Sequence, residues 1–265
     1  SKMYEMYVFY LTLFGELARH AELKLEEVRN RKISSSKDAI VHQIFLKNSF
    51  IKTLGSNTSL LNAAEKLSVN WVGDVKQDIV KKLYNYLLNS EAFLEISNEE
   101  GTGFTLDKSN CIKLFKKEIC NFDLIHHFFE ENSIYWVDDI DHVCSMVLKT
   151  LKSLNEDGED QEIILPLWKE DEEQFAKDLF QLTLSNKEKY DLVLASYTKN
   201  WDQDRLAKMD MILMNMAINE ASSFASIPIK VTLNEYIEIS KFYSTPKSNG
   251  FINGILDNVF ADLKK

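Results

Sequence analysis

The chain has 265 residues, enough for one large core or two smaller ones, and its 8 Gly and 3 Pro favour long helices with few connections. It carries 41 Asp+Glu against 31 Lys+Arg, and only Arg19, Arg29, Arg31 and Arg205 are arginines. Phosphate neutralisation supplies most of the affinity of a nucleic-acid-binding domain, so a formal net charge of −10 argues against autonomous, tight RNA binding.

Cys111, Cys120 and Cys144 form neither an even-numbered framework nor a metal-type pairing, and the expectation is a reduced, cytoplasmic setting. No apolar run reaches the roughly 18 residues of a membrane span, so no membrane partner is expected. Glu5, Thr12, Gly15 and Glu16 interrupt the N-terminal stretch and exclude a signal-peptide reading.

From Tyr4 to Val28, apolar residues fall at Tyr4, Tyr7, Leu11, Phe14, Ala18, Ala21 and Leu25, steps of three and four that place them on one helical face. A chain that opens within such a helix reads as a fragment whose beginning is missing. Further helices are expected at about 38–54, 58–69, 75–96, 108–131 and 135–154, separated by turns such as Gly55-Ser56-Asn57 and Gly101-Thr102-Gly103. Nine acids and one base, Lys169, lie between Glu156 and Glu173, the pattern of a solvated connection. The expected organisation is an N-terminal helical region over 1–155, an acidic connection over 156–170 and a second helical domain over 171–265. The expected fold class is all-α, a helical bundle.

Within the second domain, Thr232-Leu233-Asn234-Glu235 has the spacing of a capping box, with Val231 and Tyr236 at the staple positions. The last helix should begin near Ser248 and present Phe251, Ile255 and Val259, with Ile252 and Leu256 widening the stripe. Gly254 inside that helix costs about 1 kcal/mol relative to Ala, which a close helix crossing would explain.

Motifs with chemical potential read more simply. His126-His127 points two rings about 100° apart, with only Glu130 and Glu131 at four-residue offsets, which is poor metal geometry. Asp138, Asp139, Asp141 and His142 suit the front of a helix, where the macrodipole favours acids. Met209, Met211, Met214 and Met216 read as core filler. Gly101-Thr102-Gly103 lacks the Lys-Ser/Thr of a phosphate loop, and no nucleophile elbow, zinc-hydrolase motif or dinucleotide fingerprint occurs. The chain offers no persuasive active site, and neither a catalytic residue, a metal nor a cofactor is expected.

The segments RLAKMDMILMNMAINEA, beginning at Arg205, and SIPIKVTLNEYIEISKFYSTPKSNGFINGILD, ending at Asp257, carry four short motifs in series. These are an Arg-Leu-Ala-x-x-Asp helix, an Ile-Pro turn, an Asn-Glu helix ending in Lys, and Phe-x-Asn-Gly-Ile-Leu-Asp. In this order and spacing they resemble the C-terminal half of the NusB family of bacterial transcription antitermination factors.

The resemblance implies a non-enzymatic, all-helical factor that pairs with a small-subunit ribosomal protein, called NusE in this role. It also implies boxA-type single-stranded RNA of ribosomal-RNA transcripts and the transcription elongation complex as partners. In the family, an arginine-rich N-terminal helix and the loop before the Phe-x-Asn-Gly helix hold the RNA. That loop corresponds to Thr245–Gly250, so the resemblance points to Lys247, Ser248, Asn249 and Phe251 as RNA-binding residues. Lys247 would meet a phosphate and the Phe251 ring an unpaired base, although Phe251 also suits the first core position of its helix.

Asp210 corresponds to the acidic position that faces a basic residue of the ribosomal protein, and it is expected on an exposed helix face. Asn215 and Ala221 stand where the family often has Arg and Leu. The segment Met3–Ala21 does not resemble the arginine-rich helix, and the region up to about Trp168 reads as an insertion. Two other readings are weighed: a helical protein-interaction module whose inserted region dictates the partner, and a domain preceding a ribosomal-RNA cytosine methyltransferase. The second ranks last, because no Gly-rich cofactor motif is present.

Overall fold

The computed structural model describes residues 2–30, 36–133, 138–166, 168, 170–199 and 206–263, and every regular element among them is helical. The chain divides into two compact units, Ser1–Leu167 and Trp168–Lys265, each with its own hydrophobic core.

The first unit is organised around α1 (Lys2–Arg29), which packs against α2 (Ser36–Leu46), α3 (Ser49–Ser56), α4 (Thr58–Lys66), α5 (Asp74–Leu88) and α9 (Ile140–Ser153). The one-face reading of α1 needs correction. Every residue from Met6 to Leu11 is buried, as are Leu13, Phe14 and Leu17, because neighbours surround its N-terminal half. A helix that is apolar all round belongs inside a core. Trp71 closes one side, its Nε1 donating to Phe9 O at 3.3 Å and Thr12 Oγ1 at 3.2 Å.

Three long expected helices are broken into shorter ones. The span 38–54 divides before Asn48, which caps α3 by accepting from Ile51 N at 2.8 Å. The span 75–96 divides at Ser90, which caps α6 (Glu91–Ser97) by accepting from Phe93 N at 3.2 Å. The span 108–131 becomes α7 (Phe104–Lys117), a 3-10 turn at Ile119–Asn121, and α8 (Asp123–Asn132). The apolar period runs through these breaks, while each capping side chain starts a new helix without disturbing it. Gly101 and Gly103, at φ of 127° and 128°, occupy backbone that side chains rarely adopt and allow the turn into α7. The N-terminal part of the expected 135–154 helix includes residues 135–137, which lie outside the described residues.

The acidic segment after α9 is anchored rather than free. Asn57 Nδ2 donates to the carbonyls of Gly158 and Gln161, each at 2.8 Å. Ile163 is buried, and the Tyr4 hydroxyl donates to Leu165 O at 2.6 Å. The acids Glu156, Asp157, Glu159, Asp160 and Glu162 point to solvent. Charge therefore marks the outer side of this segment, while its uncharged residues attach it to the first core.

The second unit contains α10 (Glu170–Ser185), α11 (Lys187–Tyr197), α12 (Lys208–Ser223), α13 (Ile229–Tyr243) and α14 (Ser248–Leu263). The α12 helix packs against the other four and contributes Leu213, Met214, Ala217 and Ile218 to the core. The α14 helix begins at Ser248 as expected and buries Ile252, Ile255, Leu256, Val259 and Phe260.

Two local expectations fail here. The α13 helix starts at Ile229 after Pro228, a turn earlier than the proposed capping box. Thr232 lies inside it and donates its hydroxyl to Glu220 Oε1 at 2.7 Å. Gly254 is exposed, and a methyl group added there would touch nothing within 4 Å, so no close crossing explains it.

Candidate functional site

The end of α13 and the start of α14 form a tight connection over Ser244–Lys247. The Ser244 hydroxyl donates to Asp210 Oδ1 on α12. Ser248 donates its hydroxyl to Asp210 Oδ2 at 2.9 Å, and that Oγ accepts from Thr245 N at 3.2 Å. The Thr245 and Ser248 hydroxyls also share a hydrogen bond at 2.8 Å. Pro246 fixes one backbone torsion between these ties. The connection is thus fastened to α12 at both ends by one carboxylate.

The expectation that Asp210 lies on an exposed helix face is overturned. It is 5% exposed, and each of its oxygens accepts a serine hydroxyl. A carboxylate in the first turn of α12 suits the helix dipole, and the serines supply the hydrogen bonds that burial demands.

Of the four loop residues singled out by sequence, Ser248 is buried in this network. Lys247 projects into solvent, Asn249 is half-buried with its Oδ1 accepting from Gly250 N at 2.7 Å, and Phe251 is half-buried against the second core. Asp210 and Ser248 are brought together, while the solvent-facing member is Lys247.

Sequence reading missed three neighbours. Ser244 completes the Asp210 network. Phe242 is 82% exposed and Tyr243 is 48% exposed at the end of α13. Phe242 follows Val231, Glu235 and Glu238 at steps of four, three and four, so an aromatic on that otherwise largely acidic face was the available signal.

Deeper in the unit, Glu220 accepts from Tyr236 at 3.1 Å as well as from Thr232. Burial, followed by the nearby Glu220 charge, pushes the Tyr236 hydroxyl pKa well above its ordinary value. These bonds tie the C-terminal part of α12 to the N-terminal half of α13.

The histidines have local roles. His126 Nε2 lies 2.7 Å from Cys120 O, and exposed His127 lies 3.3 Å from Glu130. Among the described residues, no group of three His, Cys, Asp or Glu side chains is placed to hold a metal ion.

The fold and this loop define an all-helical module with a fastened, solvent-facing connection beside exposed aromatic rings. The chain belongs to the NusB family, whose profile matches residues 138–261, from the approach to α9 through nearly all of the second unit. Its similarity to the "Transcription antitermination protein NusB" of Listeria welshimeri is 36% identity over 111 residues, covering 42% of this chain and 86% of that relative. The protein of the same name from Natranaerobius thermophilus is 40% identical over 92 residues, covering 35% of this chain and 66% of the relative. That from Salinibacter ruber is 42% identical over 89 residues, covering 34% and 56%. The chain therefore spans less than two thirds of the length of these last two relatives. No solved structure matches it significantly.

Proposed function

We propose that this chain acts in transcription antitermination as a cytoplasmic, non-enzymatic RNA-binding factor. Its ligand in this reading is boxA-type single-stranded RNA of ribosomal-RNA transcripts, gripped together with a small-subunit ribosomal protein, NusE, within the transcription elongation complex. Family membership supports the process, and the fastened Ser244–Ser248 connection is the observation that carries the site. A loop held by Asp210 presents Lys247 with little conformational entropy left to lose on binding.

In this reading Lys247 meets a backbone phosphate, while Asn249 and the exposed part of Phe251 face a base. Ser248 and Asp210 act through the loop, by holding it in place. A partner-binding role for Asp210 would take the same indirect form, because both oxygens already accept hydrogen bonds. Most of the acidic excess lies outside residues 168–265, which leaves this surface less repulsive to phosphate than the whole-chain charge suggests. No described helix is long and apolar enough to cross a membrane.

The test is a titration of labelled boxA-like single-stranded RNA across a salt series with the chain and its Lys247→Ala variant. Loss of one phosphate contact should weaken binding and reduce the salt slope by about 0.7. Equal affinities and slopes would remove Lys247 from the interface.

A further inference from the structure

In the first unit, α1, α2 and α5 meet around Tyr84 of α5, which is fully buried. An imidazole from each of the other two helices packs against its ring. His42 of α2 stacks on it with centroids 6.0 Å apart, and His42 Nδ1 and the Tyr84 hydroxyl share a hydrogen bond at 2.7 Å. Phe45, one turn further along α2, rests on the same ring at 5.3 Å. His20 of α1 meets it at a steeper angle, with centroids 5.0 Å apart and planes at 64°.

The two histidines are provided for differently. His42 has the Tyr84 hydroxyl, whereas His20 Nε2 is shielded from solvent and has no hydrogen-bond partner among the described residues. A neutral ring tolerates that position, but an imidazolium there would bury a charged N–H with nothing to accept it. The surrounding charge is also wrong for a cation. Lys24 and Arg19 on α1 and Lys81 on α5 are positive. Arg19 lies 2.7 Å from Glu16, and Glu27, the acid that faces His20 among the described residues, lies 2.8 Å from Lys24. From α2 the facing titratable group is His42 itself. Burial first, and Lys24 next, hold the His20 pKa below its ordinary value. Burial also pushes the Tyr84 hydroxyl above its usual range, so Tyr84 supplies no counter-charge.

We propose that His20 is an acid-operated latch on the seam between α1, α2 and α5. While neutral, its ring stays closed against Tyr84, and α2 remains docked there through His42 and Phe45. On taking up a proton the ring must turn Nε2 to water, which withdraws it from Tyr84 and loosens α2. Linkage sets the direction. The opened state binds a proton at the ordinary histidine pKa of about 6.5 and the closed state only at lower pH. Closure is therefore fully favoured above about pH 6.5 and weakens as the pH falls below it, by up to about tenfold in the opening equilibrium per pH unit. The latch lies in the first unit and stands independently of RNA binding at the loop.

The test is hydrogen exchange of the full chain at pH 7.5 and 5.5, followed by mass spectrometry and normalised to intrinsic exchange rates. Protection of residues 41–46 should fall about three- to tenfold at the lower pH, while that of α14 stays unchanged. His20→Phe keeps a ring against Tyr84 without the titrating nitrogen and should abolish the fall. His126, His127 and His142 are common to both proteins and cancel in the comparison. An NMR titration of the His20 ring in the unaltered chain, which depends on no variant folding, should give a midpoint below 6.5.

Equal protection of residues 41–46 at the two pH values overturns the proposal, as does a His20 midpoint at or above 6.5. A fall that persists in His20→Phe also overturns it, by assigning the proton to another group such as His42.

Discussion

Replacing Asp210 with alanine should lower stability by about 2–4 kcal/mol, through loss of two hydroxyl-to-carboxylate hydrogen bonds in a buried site. The stranded Ser244 and Ser248 hydroxyls lie 3.0 Å apart and recover part of that loss by bonding to each other. Asp210→Asn keeps one good acceptor and should cost about half as much. Both values follow from the shift in urea midpoint at constant slope. In the proposed function the same change should reduce RNA affinity about tenfold in protein that is still folded, because the freed loop must be ordered on binding. Unchanged stability would show that the network contributes nothing to the fold, and unchanged RNA affinity would show that the loop needs no fastening.

Phe129→Ala should cost about 3–5 kcal/mol, among the largest effects available to a single substitution. Phe129 is fully buried on α8, with ring centroids 5.3 Å from Tyr10, 5.4 Å from Phe128 and 6.1 Å from Phe9. Its removal leaves a cavity at the junction of α1 and α8, where rings meet edge to face and cannot easily collapse inward. Phe129→Leu, which preserves most of the volume, should cost less than about 1.5 kcal/mol. Equal losses for the two variants, measured by urea unfolding, would contradict the cavity account, because Leu restores most of the apolar volume that Ala removes.

The reach of sequence reading follows from which contacts are local. The α14 helix was legible because Ile252, Ile255, Leu256 and Val259 repeat at helical spacing and face one core. The all-helical class was legible for the same reason. The capping box at Thr232 failed because Thr and Glu three residues apart also occur within helices, and this hydroxyl answers Glu220, twelve residues upstream. The burial of Asp210 depends on Ser248, 38 residues away, and no local pattern reports such a pairing. Helix breaks at Asn48 and Ser90 were hidden beneath a continuing apolar period. The cluster around Tyr84 was also invisible, because His20, His42 and Tyr84 lie on three different helices and no local pattern pairs them.

The most direct test of the RNA-binding account is ultraviolet crosslinking of the chain to boxA-like single-stranded RNA, with the joined residues located by mass spectrometry. Crosslinks should concentrate at the loop and its flanking rings, over residues 242–251, and Asp210→Ala should diminish them. Abundant crosslinks confined to other surfaces, with residues 242–251 unmodified, would contradict the account.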